Sequence, residues 1–397
     1  MTDSSPRLRV AMIGAGFMGA AHSQGWRVAP RFFELHAHPE MALLVGRNQN
    51  RTAAAAQKWG WGEISTDWRE AIQRDDIDIV DIVTPGDSHA EIAIAALAAG
   101  KHVLCEKPLA NTVEEAKAMA VAAARAAARG IYAMVGFTYR RVPAATLARD
   151  LVAQGRLGEI RQVRASYLQD WLVDENGPLS WRLQKDRAGS GALGDIGAHA
   201  VDLAQYITGS SLSSVSGTLE TIVAERPVLA ESSGLSGTAG LERGAVTVDD
   251  LSLFTGRFGA AGTARGFLGS FEATRFSTGR KNALRIEVSG SKGALGFDLE
   301  RLNELQFFDA TAAGHTQGFS TILVTEPGHP YVDAWWPAGH MLGYEHGFSH
   351  QARDFIQAIA AGTQPTPSFA DGLQVQQVLD AVERSATANS VWTPVNN

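Results

Sequence analysis

The stretch LRVAMIGAGFMGA, residues 8–20, sets a short apolar run directly against three spaced glycines and then helix-forming residues. Glycines spaced like Gly14, Gly16 and Gly19 permit a tight turn, close approach of the backbone to a pyrophosphate, and close packing of helix on strand. A helix follows from Phe17 and Met18 onward, and its first N–H groups supply donors for phosphate oxygens. A glycine turn after one strand is common, so the reading depends on its surroundings.

Those surroundings repeat the alternation. MALLVG (41–46) reads as a second strand and TAAAAQKWG (52–60) as the helix after it. Trp68 to Gln73 gives a short helix, and DIVDIV (78–83) a third strand ending at Thr84-Pro85. SHAEIAIAALAAG (88–100) opens on an N-cap serine and closes on glycine, which delimits a helix. HVLC (102–105), a long helix from Val113 and IYAMVGF (131–137) continue the series. Strands alternating with helices at short spacing predict an α/β fold with a doubly wound parallel sheet, a Rossmann domain over residues 1–140.

The chain has 397 residues, more than one core usually holds, so a second domain is expected over 141–397. A formal net charge of −7 argues against a nucleic acid or an anionic membrane as partner. No apolar run reaches the roughly 18 residues of a membrane-spanning helix. Cys105 is the only cysteine, which excludes an internal disulfide and a multi-cysteine metal site. MTDSSPRLRVAMIG runs straight into the first strand without a signal-peptide layout, so a cytoplasmic enzyme is expected.

Cofactor choice turns on the end of the second strand. A carboxylate there would clamp the adenosine ribose and repel a 2′-phosphate, but the sequence reads Gly46-Arg47 with no acid. Arg47 is left three options: holding a 2′-phosphate, stacking on adenine, or pointing into water. NAD is expected, with NADP not excluded. Thr84, Pro85 and His89 follow the third strand, and Glu106-Lys107-Pro108 follows the fourth, all at the carboxyl edge where such sheets bind ligands. Proline biases Lys107 away from helix and holds it in an extended turn, placed to donate to a substrate hydroxyl.

GAGFMG (14–19), TPGDSHAEIAIAAL (84–97), EKP (106–108) and GDIGAHAVD (194–202) together resemble the Gfo/Idh/MocA oxidoreductase family. The resemblance covers the amino-terminal domain and the first half of the second. It implies that Lys107, Asp195 and His199 line the active site beside the nicotinamide. Gly14, Gly16, Phe17, Met18, Gly19, Gly46, Arg47, Thr84, Pro85, His89, Glu106 and Lys107 would then contact the cofactor. It also implies a second domain built on one open, mostly antiparallel sheet, used for homodimer or homotetramer contacts.

The residues agree with that chemistry. Oxidising a secondary alcohol needs a base for the hydroxyl proton and donors that orient the substrate. His199 is the best base candidate, since imidazoles as a class trade protons near neutrality. Asp195 lies four residues earlier, so on a helix the two share a face, and Asp202 falls a further turn along. Two carboxylates and one histidine fall short of a zinc ligand set, so no metal site is expected. Tyr139 and Arg140 sit just past the last Rossmann strand. Tyr167, Gln169, Trp171, Trp181 and Arg182 offer aromatic faces and donors suited to a polyhydroxylated ring, or else Trp packing in the core or an interface.

Beyond a helix over 143–154, the second domain reads as strands at 160–170, 214–223, 248–258, 264–276, 283–290, 293–298 and 304–309, pairing antiparallel. The Gly- and Ser-rich 227–245 reads as a mobile loop. His329, Trp335, Trp336 and His340 occupy a proline-containing loop that closes either its own site or a neighbour's. Helix returns with the stripe Phe348, Ala352, Phe355, Ile356 and Ile359. The wording of YLQDW and SWR…GSGALGDI is nearest to the family's sugar and inositol dehydrogenases. The expected function is therefore NAD(P)-dependent oxidation of a secondary hydroxyl, the C3 hydroxyl of a pyranose or one of a cyclitol. The alternative is an oxidoreductive glycosidase, in which transient C3 oxidation permits elimination, hydration and re-reduction.

Overall fold

The computed structural model describes residues 6–233, 236–259 and 266–396. The chain divides into two compact units, Met1–Thr138 with Tyr344–Leu373, and Tyr139–Gly343 with Gln374–Asn397.

The first unit alternates as the sequence predicts. It runs β1 (Arg7–Ile13), α1 (Phe17–Phe32), β2 (His38–Val45), α2 (Gln49–Trp59), β3 (Glu63–Ser65) and α3 (Trp68–Gln73). Then come β4 (Ile79–Ile82), α4 (His89–Ala98), β5 (His102–Cys105), α5 (Val113–Ala127) and β6 (Ala133–Val135). All six strands are parallel, in the order β3-β2-β1-β4-β5-β6. Local chemistry sets the helix ends. The Asn48 side chain caps α2 and Gly60 ends it in the left-handed region, while Thr112 and Glu115 form a capping box on α5. Ser88 does not cap α4, because its Oγ donates to Thr84 Oγ1 and the Pro85 carbonyl instead, at 2.7 and 2.9 Å.

The second unit holds α6 (Pro143–Ala153), β7 (Ile160–Leu168), α7 (Lys185–Ala188), α8 (Ala198–Thr208) and β8 (Leu212–Glu220). It continues with β9 (Glu225–Ser233), β10 (Ser236–Ala245), β11 (Leu251–Phe258), β12 (Leu268–Thr274), β13 (Ala283–Gly290) and β14 (Gly293–Asp298). β15 (Glu304–Asp309) and β16 (Phe319–Leu323) follow. After α9 (His346–Ala360) and α10 (Phe369–Thr387), β17 (Thr393–Pro394) joins the sheet edge. The nine strands run β16-β15-β14-β13-β7-β12-β11-β8-β17, antiparallel except for the parallel pair β7–β12. Val163, Ala165, Leu284, Ile286, Val288 and Leu295 alternate into the interior of this sheet, as a half-buried sheet requires.

Two expectations are corrected. Residues 344–373 belong to the first unit, so not all of 141–397 forms the second. The reason lies on α9, whose buried stripe of Phe348, Ala352, Phe355 and Ile356 packs on α1. Gly25 of α1 permits the approach, since a Cβ there would come within 2.7 Å of the Phe348 carbonyl oxygen. The second correction concerns 227–245, where residues 234–235 lie outside the described residues and the rest are strand rather than loop: β9 and β10 pair antiparallel. Pro227 accepts from the Leu179 amide at 2.7 Å, and the buried Arg226 donates to the Leu172 and Asp174 carbonyls at 2.6 and 2.7 Å. Part of the expected strand 264–276 lies outside the described residues. Among the described residues no helix is long and apolar enough to cross a membrane.

Candidate active site

In the first unit, candidate residues gather at the carboxyl edge of the parallel sheet. Gly14 has φ +124°, and a Cβ on it would strike the Val83 carbonyl oxygen at 2.8 Å. A Cβ on Gly19 would meet the Gly14 carbonyl oxygen at 2.6 Å, so glycine is what lets α1 start against the turn. Gly16, by contrast, opens onto free space, and Phe17 beside it is exposed. No side chain caps α1 and no acid occupies its first turn. A bare helix start behind a glycine turn fits a pyrophosphate, so these residues would hold NAD.

Gly46 and Arg47 leave β2 as expected, with Arg47 exposed. A Cβ on Gly46 would collide with Thr52 Oγ1, which donates to the Asn48 carbonyl at 2.8 Å. His89 is buried, with Nδ1 3.0 Å from the Pro108 carbonyl oxygen and Nε2 2.9 Å from that of Thr84. Its ring ties the Lys107-Pro108 turn to the end of β4. Glu106 is buried and points inward, Oε1 lying 3.0 Å from His22 Nε2 while Oε2 accepts from the Lys107 amide at 3.3 Å.

In the second unit the expected helix around Asp195 begins as a π turn, Leu193–Gly197, and becomes α-helical only at Ala198. Single π turns are rare and recur at functional sites. Asp249 anchors this one: its carboxylate accepts from the Gly191 and Leu193 amides, both at 2.7 Å, and its carbonyl from the Ala192 amide at 3.0 Å. Burial pushes the Asp249 carboxyl up, against the opposing pull of those two amides and Arg275. A Cβ on Gly191 would run into the Asp249 carbonyl oxygen, and one on Gly197 would sit 3.3 Å from Ala273 Cβ. These two glycines serve packing of the turn on the sheet.

Around that turn the structure brings several expected residues together. The His199 ring lies against Tyr139, centroids 4.4 Å apart, and edge-on to Tyr167 at 5.9 Å. The two tyrosine hydroxyls are 2.9 Å apart, and Tyr167 donates to Asn282 Oδ1 at 2.6 Å. Gln169 Nε2 donates to the same oxygen at 2.8 Å, and Gln169 Oε1 accepts from Trp171 Nε1 at 2.9 Å. Arg182 stacks over Trp181 at 4.4 Å. Burial lowers the Arg182 pKa, with nearby Arg275 adding to that and Asp195 opposing it. Arg140 turns to the buried Asp202, whose two oxygens lie 3.1 and 2.9 Å from its Nε, with Nη2 2.5 Å from Oδ1. In the 324–343 loop, His329 Nδ1 accepts from the Glu326 amide at 3.1 Å, and His340 Nδ1 donates to the Pro337 carbonyl at 2.8 Å. Among the described residues no group of three or more His, Cys, Asp or Glu side chains could hold a metal ion.

Sequence reasoning missed the residue that ties the second cluster together. Arg275 is fully buried, with Nη1 3.5 Å from the Asp195 carboxylate and Nη2 3.9 Å from that of Asp250. Its Nη2 also donates to the Asp249 carbonyl at 3.0 Å, and Trp171 lies over its guanidinium at 5.6 Å. The adjacent acids in VDDLSLF were a visible signal, since two carboxylates opening a buried strand require a counter-charge.

Comparison with known proteins follows the same division of the chain. Residues 8–137 match the model described as oxidoreductase family, NAD-binding Rossmann fold, and residues 146–296 that of the GFO/IDH/MocA C-terminal domain. The chain is 44% identical over 393 residues to levoglucosan dehydrogenase of Pseudarthrobacter phenanthrenivorans, covering 98% of each chain. Among solved structures, an oxidoreductase domain protein from Kribbella flavida is 61% identical with a TM-score of 0.93, covering 99% of this chain and 100% of that one. A levoglucosan dehydrogenase in complex with NADH and levoglucosan is 42% identical with a TM-score of 0.90, covering 98% and 100%.

Proposed function

The chain belongs to the GFO/IDH/MocA oxidoreductase family, and we propose that it oxidises a ring secondary hydroxyl of a pyranose or cyclitol with NAD. The reading rests above all on one observation: His199 lies between two tyrosine rings, one turn beyond an Asp195 that a buried arginine faces. A base set against aromatic faces beside a carboxyl acceptor suits a polyol, which presents apolar C–H faces and directional hydroxyls at once. Levoglucosan is the first substrate to try, because a full-length relative is a levoglucosan dehydrogenase.

In this proposal His199 takes the proton of the reacting hydroxyl. Lys107 donates a hydrogen bond to the same oxygen and favours its deprotonated form. Asp195 accepts from a neighbouring hydroxyl and so orients the ring. Trp171 and Trp181 lie along the sugar faces, Arg182 supplies donors, and Tyr139 and Tyr167 wall the His199 ring. NAD, held by the Gly14–Gly19 turn, supplies the acceptor for the carbinol hydride when bound. Arg47, facing no acid, leaves room for NADP.

The protein is incubated with NAD and levoglucosan, other pyranoses, inositols and aryl glycosides, following NADH absorbance and aglycone release. NADH formed in proportion to sugar consumed supports the dehydrogenase. Aglycone release without net NADH replaces it with the glycosidase scheme, and neither signal overturns both. Lys107→Ala and His199→Ala are each expected to lose about a hundredfold or more in kcat with NADH affinity retained. A His199→Ala enzyme at near-native rate rejects the base assignment.

We also propose a cytoplasmic homodimer or homotetramer joined through the open face of the nine-stranded sheet. Support comes from a cleft of about 540 Å³ on that face, bordered by the exposed Leu253 and by charged Arg164, Glu272 and Glu287. Light scattering on the purified chain tests it, and a monomer at micromolar concentration overturns it.

A further inference from the structure

Beneath the turn that carries Lys107 lies a buried ionic network that the proposed chemistry does not use. His22, in the second turn of α1, is 2% exposed. Its Nδ1 lies 3.0 and 2.9 Å from the two Asp81 oxygens, and its Nε2 lies 3.0 Å from Glu106 Oε1. Asp81 is wholly buried and also accepts from Trp26 Nε1 at 2.7 Å. The second Glu106 oxygen accepts from the Lys107 amide. Gly136, from the segment after β6, makes space for this carboxylate, since a Cβ there would stand 2.7 Å from Oε1.

Such a network is a poor way to stabilise a core, because removing ions from water costs about as much as their attraction returns. Apolar residues of the same volume would serve packing equally well. What only the polar version supplies is direction. It fixes one carboxylate, and that carboxylate fixes the backbone of the residue after it.

We propose that His22, backed by Asp81, is a positioning residue for Lys107: by holding Glu106 it sets the Glu106-Lys107-Pro108 turn and so the place from which the lysine reaches the substrate oxygen. This rests on the reading of Lys107 given above. Electrostatics agree with it. Both carboxylates are acceptors, and a neutral imidazole has one N–H, so only the imidazolium donates to both. Burial works against that charge, but Asp81 and Glu106 outweigh it and raise the His22 pKa to about 10. Phe348 also stands by the ring, at 5.4 Å between centroids, and Cys105 lies near the two carboxylates, its thiol pushed up by burial.

The test uses the full chain with NAD and its best sugar. His22→Gln is expected to lower kcat about tenfold or more, leave NADH affinity and sugar KM within about twofold, and speed amide exchange across 105–109. Adding Glu106→Gln removes the stranded carboxylate and restores part of the lost rate, which a merely structural defect would not allow. If His22→Gln does not fold, Glu106→Gln alone carries the test, with a lower kcat at saturating NAD expected. A folded His22→Gln with native kcat overturns the proposal, as does native kcat in Glu106→Gln, or a double variant no faster than the single. Lys107→Ala is measured alongside. Native turnover there sinks the reading of Lys107, whereas loss there with native turnover in His22→Gln sinks only the positioning role.

Discussion

Arg275 Nη1 stands 3.5 Å from the Asp195 carboxylate, the arginine wholly buried and the aspartate partly exposed. The separation is an ionic approach rather than a tight hydrogen bond, so the guanidinium sets a positive charge behind the Asp195 carboxylate. The Arg275 Nε has no hydrogen-bond partner among the described residues, which leaves its charge to the flanking acids. Arg275→Met is expected to lower kcat about tenfold or more, because Asp195 loses the cation that faces it. Stranding Asp250 destabilises the fold by about 3–5 kcal/mol. Steady-state kinetics paired with urea unfolding check both, and a folded Arg275→Met enzyme with native kcat refutes the electrostatic role.

Gly191 bears on the same turn from the backbone side. A side chain there would run into the Asp249 carbonyl oxygen, and because the backbone fixes where a Cβ sits, no rotamer relieves it. Gly191→Ala is expected to destabilise by about 1–3 kcal/mol or more through overpacking. It should also reduce kcat more than NADH affinity, since the turn that shifts carries Asp195. Thermal unfolding and a fluorescence titration with NADH separate the two effects.

What was legible in the sequence follows from where the information lies. β13, β14 and β15 occupy the residues expected, because their alternation is local and glycines or turns bound them. The β9–β10 ladder was read as a loop because its composition is Gly- and Ser-rich, while its pairing is anchored by partners at Leu172, Asp174 and Leu179. Arg275 was invisible for a related reason. Asp249 and Asp250 precede β11, Arg275 follows β12, and the Leu251–Thr274 register alone joins those ends beneath Asp195. Tyr139, Tyr167 and His199 were each named from sequence, yet their stacking depends on how α8 packs on β7.

Two histidines in the first unit set opposite limbs of stability against pH. His22 has its pKa raised from 6.5 to about 10, so the folded state holds the extra proton more tightly than the unfolded chain. Its contribution is complete below pH 6.5 and is lost as pH rises through 10. His102 is the reverse case. Burial lowers it from 6.5 to about 4, against a smaller opposing pull from Asp78, and its Nδ1 accepts from the Tyr132 amide at 3.0 Å. The neutral ring is needed there, so stability falls as pH drops below 6.5 toward 4. Melting temperature measured from pH 5 to 10 should peak near neutrality, with His22→Gln flattening the alkaline limb and His102→Asn the acid one. If both limbs survive the substitutions, other groups set the profile.

Cofactor preference turns on the end of β2, and the structure redirects the obvious experiment. Placing an acid at Gly46 to clamp the ribose puts a Cβ against Thr52 Oγ1, which is engaged with the Asn48 carbonyl at the start of α2. Gly46→Asp therefore disturbs the helix start before it can read the ribose. Arg47 is exposed and its neighbourhood open, so Arg47→Asp adds the acid and removes the cation without a clash. Exchanging a positive for a negative charge near a 2′-phosphate should weaken NADP about tenfold or more relative to NAD, and less so at high salt. Initial rates with each cofactor at low and high ionic strength measure the ratio. An unchanged ratio means that Arg47 faces water and cofactor choice is made elsewhere.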